Sequence, residues 1–253
     1  MVEPDAAVLR PRSLPLRVAA FVLVAAGVVV WDAVAPHVGA VSTWWAVAII
    51  AAGVLPATLA LIYLALPLWS HPRIVAAGVV VFLAAAIVTW RLDAHLASNF
   101  MKLAAYTCGG WIFLSLFEEL AWVVLIALII PFVDAISVAA GPTKTIVTHH
   151  FEVYSAVAVA FVVPGGRAAG LGPPDILFFA LFLAAAARYG LRVGATWLGM
   201  AGALSATLLL TYALDLNGLP ALPAISLGFV VPNFDLLWRS LRAEGRGARR
   251  APP

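Results

Sequence analysis

The chain has 253 residues, of which 64% are hydrophobic and 11% are charged, and its formal net charge is +3. Soluble domains are typically about 45–50% apolar and about 25% charged, so this composition excludes a soluble globular protein and indicates one that lies almost wholly in a membrane. Five of the 15 basic residues lie in the C-terminal tail, between Arg239 and Arg250. We expect them to contact lipid headgroups and not nucleic acid.

Eight apolar runs are long enough to be membrane segments, since a helix needs about 20 residues to cross a bilayer. They cover residues 16–35, 42–68, 74–90, 98–117, 120–140, 173–189, 193–214 and 219–237. The first run follows three arginines, as in a signal peptide, but Pro36 and further apolar runs come directly after it, so we interpret it as the first membrane helix. The predicted fold class is an all-α polytopic membrane protein.

The loop predicted between the fifth and sixth segments, residues 141–172, contains one apolar stretch with a different period. Its large side chains fall on alternate positions at Val157, Val159, Phe161 and Val163. A period of two predicts a β-strand. A strand beside a membrane site has unpaired backbone groups at its edge, and an extended peptide can pair with them.

One carboxylate interrupts the fifth apolar run, and a second opens the sixth. Asp134 is the only ionisable residue between Leu120 and Ala140, and Asp175 precedes the run that starts at Ile176. A charge at membrane depth costs about 2.5–3.5 kcal/mol on insertion scales, so such residues are usually functional. Because the two helices are consecutive and antiparallel, we expect the carboxyl groups to meet near one membrane face. Two carboxyls in a low dielectric share one proton and can activate a water for peptide-bond hydrolysis.

Three stretches in this half of the chain resemble the motifs of presenilins, signal peptide peptidases and their archaeal relatives, a family of intramembrane aspartyl proteases. Val133-Asp134 is similar to their Tyr-Asp motif, with Val in place of Tyr. Residues 170–175, Gly-Leu-Gly-Pro-Pro-Asp, resemble their Gly-x-Gly-Asp motif in one of two alignments. Either Pro174 replaces the second Gly in residues 172–175, or residues 170–172 are kept and two prolines are inserted before Asp175. Residues 220–223, Pro-Ala-Leu-Pro, resemble their Pro-Ala-Leu motif and lie on the last predicted helix.

The resemblance implies a presenilin-like bundle of eight, or nine, membrane helices that hydrolyses peptide bonds within transmembrane helices or signal-peptide remnants. It implies that Asp134 and Asp175 are catalytic and that no cofactor or metal is needed. Its implied substrate-binding residues lie in both glycine and proline motifs and in the predicted strand: Gly170, Gly172, Pro220, Ala221, Leu222, Pro223, Val157, Val159 and Phe161. The implied partners are membrane-spanning peptides and lipid, and not nucleic acid.

The chain divides into N-terminal membrane helices (residues 1–117), a catalytic core (118–238) and a basic, disordered tail (239–253). With eight spans the topology satisfies the positive-inside rule and places the loop of residues 141–172 outside the cell. A ninth span in the first half would place this loop inside and the basic tail outside. Adjacent His149 and His150 diverge on a helix or a strand, so we expect no metal there. The chain contains two lysines and thirteen arginines, a usage typical of GC-rich prokaryotic genomes. We therefore expect a prokaryotic plasma membrane.

Two other interpretations of the carboxylate pair remain open on the sequence alone. The first is an ion- or proton-coupled carrier or channel that uses both groups as a relay. The second is an inactive, protease-like protein that binds membrane helices without cutting them.

Overall fold

A computed structural model describes residues 14–39, 41–140, 151–164, 168–216 and 219–248. These residues form a mostly helical protein with one small two-stranded sheet. The predicted helical fold with a short β element between the two Asp-bearing helices is confirmed, and the long apolar helices support a membrane protein.

The N-terminal half is a series of helices joined by short turns. They are α1 (Leu14–Val34), α2 (Thr43–Ile49), α3 (Leu55–Ala65), α4 (Pro72–Arg91) and α5 (His95–Ser115). A π-helical turn, Ile50–Val54, joins α2 to α3. Pro56 lies in the first turn of α3, where its missing N–H and its ring prevent a regular α-helical ladder across the junction. The second predicted segment is therefore one long helical run with a changed pitch.

The C-terminal half carries the two Asp-bearing helices and the sheet. Its elements are α6 (Leu120–Ala140), α7 (Phe151–Val157), β1 (Val159–Val162), β2 (Ala168–Leu171), α8 (Pro173–Arg188), α9 (Val193–Ala213) and α10 (Leu222–Ala248). The strands are antiparallel, with Ala160 opposite Gly170. Helix α6 packs mainly on α10 and only lightly on α8.

Five stretches of the described chain are long and apolar enough to cross a membrane. They are Leu14–His37, Thr43–Ser70, Pro72–Arg91, Leu120–Val138 and Val193–Ala213. Helices α5, α8 and α10 occupy the other three predicted segments, so each predicted segment is helical while the number of spans, eight or nine, stays a prediction. Apolar side chains on the outer helices are exposed, among them Leu23 at 73%, Val80 at 70% and Phe132 at 71%, as expected for a surface that faces lipid.

Helix α8 is the centre of the bundle. Ile176 and every residue from Phe179 to Ala186 are buried, and α5, α9 and α10 all pack against it. The run of alanines lets the neighbouring helices approach closely. At Gly110 on α5 the approach is such that an added Cβ would overlap the backbone carbonyl of Leu177. The second Asp-bearing helix is thus buried among three neighbouring helices.

Two predictions about the connecting loop and the tail are corrected by the structure. Val157 belongs to helix α7, so the strand is shorter than the alternating pattern, and a second strand pairs with it. Helix α10 continues to Ala248, so residues 239–248 are helical where the sequence predicted a disordered tail. Residues 141–150, with His149 and His150, lie outside the described residues.

A buried amide fixes α10 against α9. The side chain of Asn233 is fully buried, accepts a hydrogen bond from the backbone N–H of Arg192 (2.9 Å), and donates to the Thr196 hydroxyl (2.7 Å) and to the Phe229 carbonyl (2.8 Å). Arg192 also forms a two-pronged ion pair with Asp235. These contacts hold the helix whose first turn enters the candidate site.

Substitution of Gly228 by Ala is expected to destabilise the α9–α10 pair. A Cβ at this position would overlap the backbone of Met200, and one at Gly199 would come within 2.6 Å of the Gly228 carbonyl oxygen. Because backbone atoms cannot move aside cheaply, we expect a loss of about 1–3 kcal/mol, measured by thermal unfolding in detergent. The control is Gly202→Ala on α9, where nothing lies within 4 Å and Ala favours the helix; equal melting temperatures for the two variants would contradict this packing.

Candidate active site

The carboxylate of Asp134 caps the first turn of a different helix. Its Oδ2 accepts a hydrogen bond from the backbone N–H of Leu222 (3.0 Å), the first residue of α10, and the N–H of Ala221 is a second donor to it. The first N–H groups of a helix have no partner within the helix, and the helix dipole favours a negative charge there. The backbone N–H groups of Ala221 and Leu222, the two residues after Pro220, are therefore directed at Asp134.

The proline motif has a simple structural explanation. Pro220 and Ala221 precede α10, and Leu222 and Pro223 are its first two residues. Proline suits the first helical turn because it has no N–H to satisfy. A helix that starts at this point leaves the N–H of Leu222 directed at α6.

Asp175 is held by the beginning of its own helix. It is the third residue of α8, after Pro173 and Pro174, and its Oδ2 accepts a hydrogen bond from the N–H of Gly172 (3.0 Å), the residue that caps the helix. This is the return half of a capping box. The prolines fit the first turn, so the two residues that depart from the family motif are compatible with the geometry of a helix start.

The two carboxylates lie at the same end of the bundle and interact electrostatically with each other. Both are partly buried, and one oxygen of each is engaged by a backbone amide. The structure thus brings Asp134 near Ala221 and Leu222, and Asp175 near Gly172, with the two carboxylates in electrostatic range of each other. Such a pair has the chemical means to bind, orient and deprotonate a water.

The sequence assigned Val157, Val159 and Phe161 to a strand that pairs with an unwound substrate, and two of them, Val159 and Phe161, lie in β1. Both side chains are buried in the core, at 3% and 6% exposure. The outer edge of β1 is also occupied, because Asn99 on α5 exchanges two hydrogen bonds with Ala160 and the Trp31 indole donates to the Val162 carbonyl (3.0 Å). This part of the site prediction is corrected: β1 packs in the core, and the other strand has the edge without a partner strand.

The register of β1 and β2 determines which backbone groups of β2 point away from the sheet. Because both backbone groups of Ala160 turn to Asn99, Ala160 and its partner Gly170 form a pair without mutual hydrogen bonds. The N–H and C=O of Gly170 therefore point away from β1. Within the described residues the sheet has only two strands, and β2 leads within four residues to Asp175.

A residue that the sequence did not single out lies next to this edge. Tyr154, on α7, donates its hydroxyl to the Gly170 carbonyl (3.2 Å) and interacts electrostatically with Asp175. The sequence placed no phenol at the site because Val133 stands where the family has Tyr, and Val133 is 54% exposed on α6. Only the folding of α7 against β2 brings this side chain into the region.

The described residues contain no group of three or more His, Cys, Asp and Glu side chains that could hold a metal ion. The chain matches no family model, and no curated protein or solved structure is significantly similar to it. The family resemblance accordingly rests on the three motifs and on the way that they meet in space.

Proposed function

We propose that this protein is an intramembrane aspartyl endopeptidase of the presenilin and signal peptide peptidase type, in a prokaryotic cell membrane. The observation that carries the proposal is the hydrogen bond from the Leu222 amide to Asp134, because it joins the proline motif to one carboxylate while the second carboxylate lies within electrostatic range. This contact between segments far apart in the sequence supports the proposal.

In the proposed reaction, one water lies between the two carboxyl groups, which together hold one proton. The charged carboxylate removes a proton from the water as its oxygen attacks the peptide carbonyl carbon. The protonated carboxyl donates its proton to the leaving nitrogen as the C–N bond breaks. The products are a carboxylic acid and an amine, and neither a metal nor a cofactor takes part.

The outer edge of β2 is the best candidate for the substrate contact. A peptide bond in a helix is shielded from attack, so a membrane-spanning substrate has to unwind, and its freed backbone groups need partners. Gly170 turns its N–H and C=O outward, and the carbonyl already accepts the Tyr154 hydroxyl (3.2 Å). An added strand would bind the N–H and would share or displace that hydroxyl at the carbonyl. We therefore assign the substrate backbone to Gly170 and Gly172, with Pro220, Ala221 and Leu222 on the opposite side of the cleavage site.

The experiment is cleavage of a single-span peptide by the purified full chain in liposomes, with the new termini identified by mass spectrometry. We expect cuts inside the apolar segment and tight inhibition by a hydroxyl isostere, which mimics the tetrahedral transition state. Ion flux through the same liposomes without any cleavage would support a carrier and contradict the proposal. Specific peptide binding without cleavage would support an inactive helix-binding protein instead.

A further inference from the structure

Three polar side chains lie along one face of α5, and all of them bind backbone groups between the end of α7 and the middle of β1. They are Asn99, Lys102 and Tyr106, which we call the α5 strip. Their spacing of three and four residues places them on the same side of a helix. Their partners are the consecutive residues 156–158 and Ala160.

Asn99 occupies the place of a neighbouring strand. Its side-chain amide donates to the Ala160 carbonyl (3.2 Å), and its side-chain oxygen accepts from the Ala160 N–H (3.3 Å). These are the two bonds that a third strand would make to the outer edge of β1. The edge is thereby satisfied by a side chain, and no peptide can add there without displacing Asn99.

Lys102 is buried at 3% exposure and donates to the carbonyls of Ala158 (2.7 Å) and Ala156 (3.3 Å). Its ammonium also lies 5.1 Å from the centre of the Trp90 ring. These carbonyls belong to the end of α7, where a cation is favoured by the helix dipole. A buried lysine is costly unless it is paired, so packing alone does not account for it.

Tyr106 completes the strip by donating its hydroxyl to the Val157 carbonyl (2.8 Å). Together the three side chains make five hydrogen bonds to the segment that leads into β1. Because α5 also packs closely on α8 at Gly110, the strip and this contact connect the hairpin to the helix that carries Asp175 as its third residue. The same hairpin is joined to Asp175 along the chain, since β2 ends at Leu171.

We propose that the α5 strip consists of positioning residues that fix the register in which a substrate strand meets the two carboxylates. This inference rests on the proposed protease function and extends it from the reacting groups to the choice of bond. A hairpin shifted along α5 would present a different peptide bond to Asp175. Pairing at a strand edge changes in steps of two residues, since a shift of one exchanges the two faces.

The experiment compares cleavage sites of Asn99→Leu and Tyr106→Phe with those of the wild-type chain in liposomes. Asn99→Leu conserves size and removes both bonds to Ala160, whereas Tyr106→Phe removes one oxygen and leaves the packing intact. For Asn99→Leu we expect a roughly tenfold lower kcat/KM and products displaced from the wild-type bond, with a smaller effect of the same kind for Tyr106→Phe. Hydrogen exchange at the Ala160 amide should accelerate in Asn99→Leu.

Ser98→Ala is the matched control, because Ser98 is a buried neighbour on α5 that donates instead to the Ala86 carbonyl of α4 (3.1 Å). It should leave the cleavage sites unchanged even if it lowers thermal stability. If the wild-type chain is active and both strip variants keep its cleavage sites and kinetics, this inference is overturned while the proposed function stands. An equal displacement of the cleavage sites in Ser98→Ala would also overturn the inference. A wild-type chain that cleaves no peptide would overturn the proposed function, and the inference with it.

Discussion

Replacement of either Asp134 or Asp175 by Asn is expected to abolish proteolysis while the protein still folds. The amide has the same shape as the carboxyl and can still accept the N–H of Leu222 or of Gly172. It cannot exchange a proton with water, however, so the general acid–base step is lost. We expect a fall in kcat of about a thousandfold or more, measured as product formation from a single-span peptide in liposomes.

The control for these variants is Asp215→Asn. Asp215 lies after the end of α9 with a positive φ of 50°, a backbone conformation that Asn adopts readily, so the change should affect neither folding nor activity. Thermal unfolding should be similar for all three variants. Wild-type cleavage by either Asp134→Asn or Asp175→Asn would remove that residue from the reaction.

Substitution of Leu222 by Pro is expected to give the second-largest loss, because it deletes the amide that Asp134 accepts. Proline fits the first position of a helix, so α10 can still begin there. The hydrogen bond is made to a carboxylate, and such bonds contribute about 1.5–3 kcal/mol. We therefore expect roughly a ten- to hundredfold lower kcat/KM than in the control.

The matched control is Leu222→Ala, since Leu222 is buried at 4% exposure and both substitutions remove its side chain. Only the proline variant also removes the N–H, so the ratio of the two activities isolates the backbone donor. Equal kcat/KM values for the two variants would mean that the Leu222 amide has no part in catalysis. The proline motif would then serve only to start the helix.

The meeting of Asp134, Asp175 and the proline motif was predictable because each stands out against its local sequence. An isolated carboxylate in an apolar run, and two prolines three residues apart, are visible without coordinates, and the antiparallel order of consecutive helices brings their ends together. The positions of the long helices also followed from the apolar runs, except that α10 continues to Ala248 and that α7 was not predicted. The hydrogen bonds that complete the site could not be predicted, because each depends on which face of one helix meets another.

The segment that connects α6 to α8 shows most clearly what could not be predicted from the sequence. Val157 continued the alternating pattern but lies in α7, where Lys102 and Tyr106 bind the carbonyls at the helix end. The second strand, Ala-Ala-Gly-Leu, contains no polar alternation that could have marked it. Asn99 and Lys102 looked like ordinary polar residues near the start of a membrane segment. Their role emerges only when α5 and β1 lie side by side.

The shortness of α8 has a consequence for the depth of the site in the bilayer. Its 16 residues rise about 24 Å, against a hydrocarbon thickness of about 30 Å. A lipid-facing helix of this length would force the bilayer to thin, but α8 is enclosed by protein and meets no such demand. Its first turn, which carries Asp175, can therefore lie below the headgroup level, because its surroundings are protein side chains and not acyl chains.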